Sequence, residues 1–78
     1  MKLDIPKFRY LFQDQDGAVV AATKNTNPLK GHNFWDRVPT KLIVIANGNR
    51  NKNWRNTRID LETDGYEFED GILRRIEK

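Results

Sequence analysis

The run Leu42-Ile43-Val44-Ile45-Ala46 constrains the fold of this chain more than any other stretch. It is short, β-branched at Ile43, Val44 and Ile45, and bounded by Pro39 before and Asn47-Gly48 after. β-branched side chains are stiff at χ1 and suit a pleated surface better than a helix. Short length and turn punctuation therefore make the run a strand, with a buried helical turn as the alternative. Apolar residues on both parities predict cover on both faces, so this is the expected central strand. Phe34-Trp35 before it and Trp54 after it are the expected lids. Val44→Asp is then expected to unfold the domain by burying an unpaired charge.

Two hairpins flank the run. Phe8, Tyr10 and Phe12 alternate with Arg9, Leu11 and Gln13, and Asp14-Gln15-Asp16-Gly17 supplies a turn before Ala18-Val19-Val20-Ala21-Ala22-Thr23 returns. Tyr10, Phe12, Val20 and Ala22 are expected on one face. At the other end, Tyr66-Glu67-Phe68-Glu69 and Ile72-Leu73-Arg74-Arg75-Ile76 flank Asp70-Gly71. With those two as the turn, Phe68 faces Leu73 and Glu67 faces Arg74, an apolar pair and an ion pair from one register. Asn47-Gly48 predicts a further turn-back. Trp54 to Leu61 reads as an irregular strand or a turn of helix. Residues 24–39 have loop composition and are expected to form a flap.

The chain of 78 residues suits one small domain spanning 1–78, with a thin core and modest stability. The expected fold is mainly β: a small antiparallel sheet or curled meander or barrel of about five strands with a loop flap. Cysteine is absent, which excludes disulfides and thiolate metal sites. No apolar run approaches a membrane span, and Met1 to Pro6 does not resemble a secretory signal, so the expected location is the cytoplasm without membrane contact. A net charge of +3 permits an acidic or nucleic-acid partner without demanding one.

The catalytic inventory is thin. His32 is the lone histidine and there is no serine, so neither a triad nor a histidine metal site has its parts. Asp14 and Asp16 stand where a calcium loop would begin, but Ala18 occupies the next ligand position. The acids Asp60, Glu62, Asp64, Glu67, Glu69 and Asp70 lie at turns and on outward parities, which suits a solvated face better than a paired acid–base site. A small hydrolase joining Asp60 or Glu62 to His32 is the remote alternative. No catalytic residue, cofactor or metal is expected.

The candidate binding residues are Trp35, Arg37, Arg50, Lys52, Trp54, Arg55 and Arg58. Arginine and lysine neutralise phosphates, an indole stacks on a base, and the interleaved asparagines read base edges. That makes weak nucleic-acid binding one expectation. Tryptophan beside arginine equally anchors protein interfaces, and sheet edges accept an added strand. A solvated loop over a buried Trp54 is the plain alternative.

The pattern Trp54-x-x-x-x-Ile59-Asp60-Leu61-x-x-x-Gly65-Tyr66-Glu67-Phe68-x-Asp70-Gly71-Ile72-Leu73-Arg74-Arg75-Ile76 resembles the tail of small accessory proteins encoded by tailed bacteriophages. The resemblance implies a small non-enzymatic protein, acting in the host cytoplasm, that binds and modulates or inhibits a host or phage factor. It carries over no functional residue. The leading expectation is thus a protein-binding module of unknown partner and oligomeric state.

Overall fold

A computed structural model of the chain describes residues 3–28, 31, 35–36 and 41–77. The strands are β1 (Tyr10–Gln13), β2 (Ala18–Ala22), β3 (Leu42–Asn47), β4 (Ile59–Asp60), β5 (Asp64–Glu69) and β6 (Ile72–Glu77), with one 3₁₀ turn at Trp54–Asn56. They form an antiparallel four-stranded sheet of order β3-β2-β1-β4 and a separate β5-β6 hairpin. The protein is mainly β, as expected, and the described strands form no closed barrel.

Both hairpins take the register that their turn chemistry sets. In the first, Phe12 faces Val20 and Tyr10 faces Ala22. Its turn closes with Gly17 N–H on the Asp14 carbonyl at 3.0 Å, and Gly17 sits at φ 105°. In the second, Asp70 and Gly71 lie at φ 56° and 74°. Two consecutive positive φ values match the right-handed twist of the strands they join. Phe68 pairs with Leu73, Glu67 with Arg74, and the last two approach to 3.5 Å.

The apolar run is not the central strand. Among the described residues β3 pairs with β2 alone, at the edge of the sheet, and Ile43 and Val44 are 48% and 43% exposed. Apolar residues on both parities show that a strand gains from cover, but not which strand acquires neighbours. The strand that acquires them is β2, between β3 and β1, with Val19, Val20, Ala21 and Ala22 fully buried. Its alanines are small enough to admit a layer on each face. One face, carrying Leu11, Val19, Ala21 and Ile59, meets Leu3, Phe68 and Leu73. The other, carrying Phe12, Val20 and Ala22, meets Trp35 and Trp54. The tryptophans do cover the sheet, over β1 and β2; Leu42 alone of the β3 run packs against that cluster. The expected unfolding by Val44→Asp falls with the central placement.

β3 is bent onto its neighbour by a β-bulge. Val19 faces Ala46 and Val20 faces Val44, so Ile45 is the extra residue. The bulge puts Ile45 and Ala46 together against the Leu11–Val19 cluster.

Asn47-Gly48 does not turn back into a hairpin, contrary to expectation. Gly48 donates its N–H to the Gly17 carbonyl at 2.7 Å, and Asn49 donates to the Gly71 carbonyl at 2.8 Å. The chain crosses between the tips of the two hairpins there, and a Cβ on Gly48 would overlap the Gly71 carbonyl oxygen. Glycine is needed here for close approach. Residues Trp54 to Leu61 resolve into the 3₁₀ turn followed by β4, which pairs Asp60 with Tyr10 and Ile59 with Leu11. Of the 24–39 flap, Pro28 bridges to Trp35, and Thr26 Oγ1 donates to the Asp36 carbonyl at 2.7 Å. Phe34 lies outside the described residues.

Candidate functional site

The polar centre of the molecule is Gln13, fully buried at the end of β1. Its Nε2 donates to the Gly17 carbonyl at 2.8 Å and the Gly71 carbonyl at 2.9 Å. Its Oε1 accepts from Asn51 Nδ2 and from the Leu73 N–H, both at 2.9 Å. All four hydrogen bonds open to a side-chain amide are therefore made. The Gln13 backbone N–H donates to Thr57 Oγ1 at 2.8 Å, and its carbonyl accepts from Trp35 Nε1 at 3.0 Å. Asn51, 4% exposed, spends its other amide hydrogen on the Leu73 carbonyl at 3.2 Å. Among the described residues, no buried side-chain nitrogen or oxygen lacks a partner. The asparagine-rich loop thus carries structure: Asn49 and Asn51 bind the backbone of the C-terminal hairpin.

Trp35 and Trp54 are core residues, 1% and 3% exposed. Trp35 stacks obliquely on Phe12 at 5.1 Å and meets Trp54 edge-on at 6.1 Å. Neither indole offers a face to a base or a partner, which withdraws both from the expected binding surface. Arg37 and His32 lie outside the described residues. Arg50 and Lys52 are exposed on the loop that crosses between the hairpins.

Arg55 and Arg58 remain together and gain a companion. With Asn56, Arg75 and Glu77 they line an open groove of about 530 Å³. The Arg55 guanidinium lies 5.0 Å over the Trp54 ring. Arg58 Nη1 donates to the Thr26 carbonyl and to Asn27 Oδ1, both at 2.8 Å. Arg75 reaches Glu77 at 2.7 Å. Sequence reasoning missed Arg75, because it shares the parity of buried Leu73 on β6 while being exposed itself, and nothing local places it beside Arg58.

The acidic residues do not assemble an acid–base pair. Asp60 is held by Arg9 through two bonds, Nε to Oδ1 at 3.1 Å and Nη2 to Oδ2 at 2.9 Å. That bidentate contact keeps the Asp60 carboxyl below its ordinary range, against a smaller opposing effect of burial. The Arg9 guanidinium is raised by the same bonds and also approaches Glu62 at 3.4 Å. Among the described residues, no group of three or more histidine, aspartate or glutamate side chains is placed to hold a metal ion. None of their helices is long and apolar enough to cross a membrane.

The second surface is the edge of β3 that pairs with no other described strand. Six residues, Leu42–Asn47, run without proline or charge. Half of the backbone groups of an edge strand face away from its neighbour. Exposed Lys41 precedes the strand. No protein-family model, no curated protein and no solved structure matches this chain.

Proposed function

We propose that this protein is a non-enzymatic binding module that takes an extended segment of a partner protein as an added strand on β3. One observation carries the reading: the most apolar run of the chain lies at a sheet edge, with Ile43 and Val44 exposed on opposite faces. Soluble proteins blunt such edges with charge, proline or short length, and Leu42–Asn47 has none of these. Strand addition supplies main-chain hydrogen bonds for affinity and alternate side chains for selectivity. The partner segment carries apolar residues against Ile43 and Val44 and an acid at the end beside Lys41. The likeness of the C-terminal half to phage accessory proteins supports a modulator or inhibitor of a host factor in the cytoplasm.

A selection of extended peptides against the intact chain tests this. Enriched peptides should alternate apolar residues, carry an acid at one end, and slow amide exchange across residues 42–47. Val44→Lys should abolish binding while leaving the fold intact. Selected peptides that leave exchange across 42–47 unchanged would sink the reading.

A further inference from the structure

We propose that the groove between Arg55, Arg58 and Arg75 binds a small phosphomonoester whose remainder carries hydroxyl groups, as in a mononucleotide. The reading is independent of strand addition on β3, which lies elsewhere on the sheet. Three guanidinium groups and one carboxylate, Glu77, line this groove. They come from three separate places, namely the 3₁₀ turn, the segment after it and β6.

Two of the three are oriented without being neutralised. Trp54 supports Arg55 from below. Arg58 is gripped by a carbonyl and a side-chain amide oxygen, both uncharged. Guanidinium groups fixed in this way keep their remaining N–H donors for an anion, and their planar fork matches phosphate oxygens. Arg75 is already paired with Glu77, and a dianion with two negative charges competes with a single carboxylate for it.

The far side of the groove limits the size of the ligand. Arg58 and Arg75 also line an adjoining hollow of about 220 Å³, together with Tyr10, Asn25, Asp60 and Asp64. The positive end therefore runs into two carboxylates. A polymer with a phosphate on every unit would drive negative charge into Asp64. A monoester would not, because its hydroxyls donate to Asp64 and to Asn25.

The test is a titration of the isotope-labelled full chain, observed through the arginine Nε–Hε resonances. The probes are adenosine monophosphate, adenosine, inorganic phosphate and a single-stranded oligonucleotide. Adenosine monophosphate should shift the Arg55, Arg58 and Arg75 signals saturably, and more tightly than either adenosine or inorganic phosphate. Arg75→Gln, on an exposed position, should weaken it about tenfold, as expected for loss of a charge-assisted pair. Arg50→Gln, which removes the same charge outside the groove, should not weaken it. Absence of saturable shifts overturns the proposal. So does equal affinity for inorganic phosphate, which marks a bare anion site. Tighter binding of the oligonucleotide with shifts at Arg50 overturns it as well, in favour of nucleic acid.

Discussion

Gln13 Oε1 accepts the backbone N–H of Leu73 at 2.9 Å, joining residues 60 positions apart in the chain. This bond ties the end of β1 to the start of β6, although the two strands belong to different sheets. The same side chain holds the tips of both hairpins through Gly17 and Gly71. One buried amide therefore sets how the two halves meet.

Gln13→Leu conserves size but strands the Leu73 N–H in the interior and takes one of two hydrogen bonds from Asn51 Nδ2 and from the Gly17 and Gly71 carbonyls. Buried polar groups left without partners are destabilising individually and act together within a network. Urea unfolding should show a loss of about 3 kcal/mol. Asn51→Ala should be less harmful. A double-mutant cycle between the two positions should return a coupling of about 1 kcal/mol or more.

The edge position of β3 separates two valines that face each other across the sheet. Val20 is fully buried and Val44 is 43% exposed. Val44→Asp should alter stability by less than about 1 kcal/mol, as surface substitutions do. Val20→Asp buries an unpaired charge and should unfold a domain of this size, costing more than about 4 kcal/mol. Thermal melts followed by circular dichroism distinguish the two outcomes.

Gly48 is required by proximity. An alanine there would place its methyl group on the Gly71 carbonyl oxygen and against Gln13 Nε2, which lies 2.6 Å from the Cβ position. Overpacking against backbone forces the hairpin tips apart, so Gly48→Ala should destabilise by about 2 kcal/mol. Amide exchange should accelerate first at Asn49 and Leu73.

The Arg9–Asp60 contact makes stability depend on acid pH. The folded carboxyl of Asp60 is held below its ordinary value of 3.8 by hydrogen bonds from Arg9. A depressed folded pKa contributes stability that is fully present above the ordinary value and is lost as pH falls through the folded one. Unfolding midpoints should therefore drop below pH 3.8, and Asp60→Asn should flatten that part of the profile. A carboxyl carbon titration by NMR should place Asp60 below its ordinary value of 3.8.

Much of the local structure was legible in the sequence. Asp70-Gly71 fixed the Phe68–Leu73 and Glu67–Arg74 pairs because a two-residue turn leaves no freedom of register. Asp14 to Gly17 marked the first hairpin, and alternation put Phe12 and Val20 on one face. The illegible part lay between elements. The hydrophobicity of Leu42 to Ala46 exceeds that of Ala18 to Ala22, yet the weaker run is central, since strand order depends on partners that neither run encodes locally. Gln13 read only as the polar end of an alternating strand, and no sequence signal shows that two hairpin tips and a loop close over it. The asparagines from Asn47 to Asn53 suggested recognition of bases, and two of them instead satisfy backbone groups at the junction. The arginine groove was half visible, because Arg55 and Arg58 are near in sequence whereas Arg75 arrives from β6.

The sheet and the β5-β6 hairpin share no ladder of backbone hydrogen bonds. A lone hairpin is marginal in water, so this one takes its shape from docking Phe68 and Leu73 onto the sheet and Gly71 onto Gln13. It is in effect a tethered ligand of its own chain, kept at high effective concentration by the short turn Leu61 to Thr63. If that tether opens, the vacated surface is complementary to the hairpin of a neighbouring molecule, and exchange of hairpins between two copies becomes the lowest-cost route to a dimer.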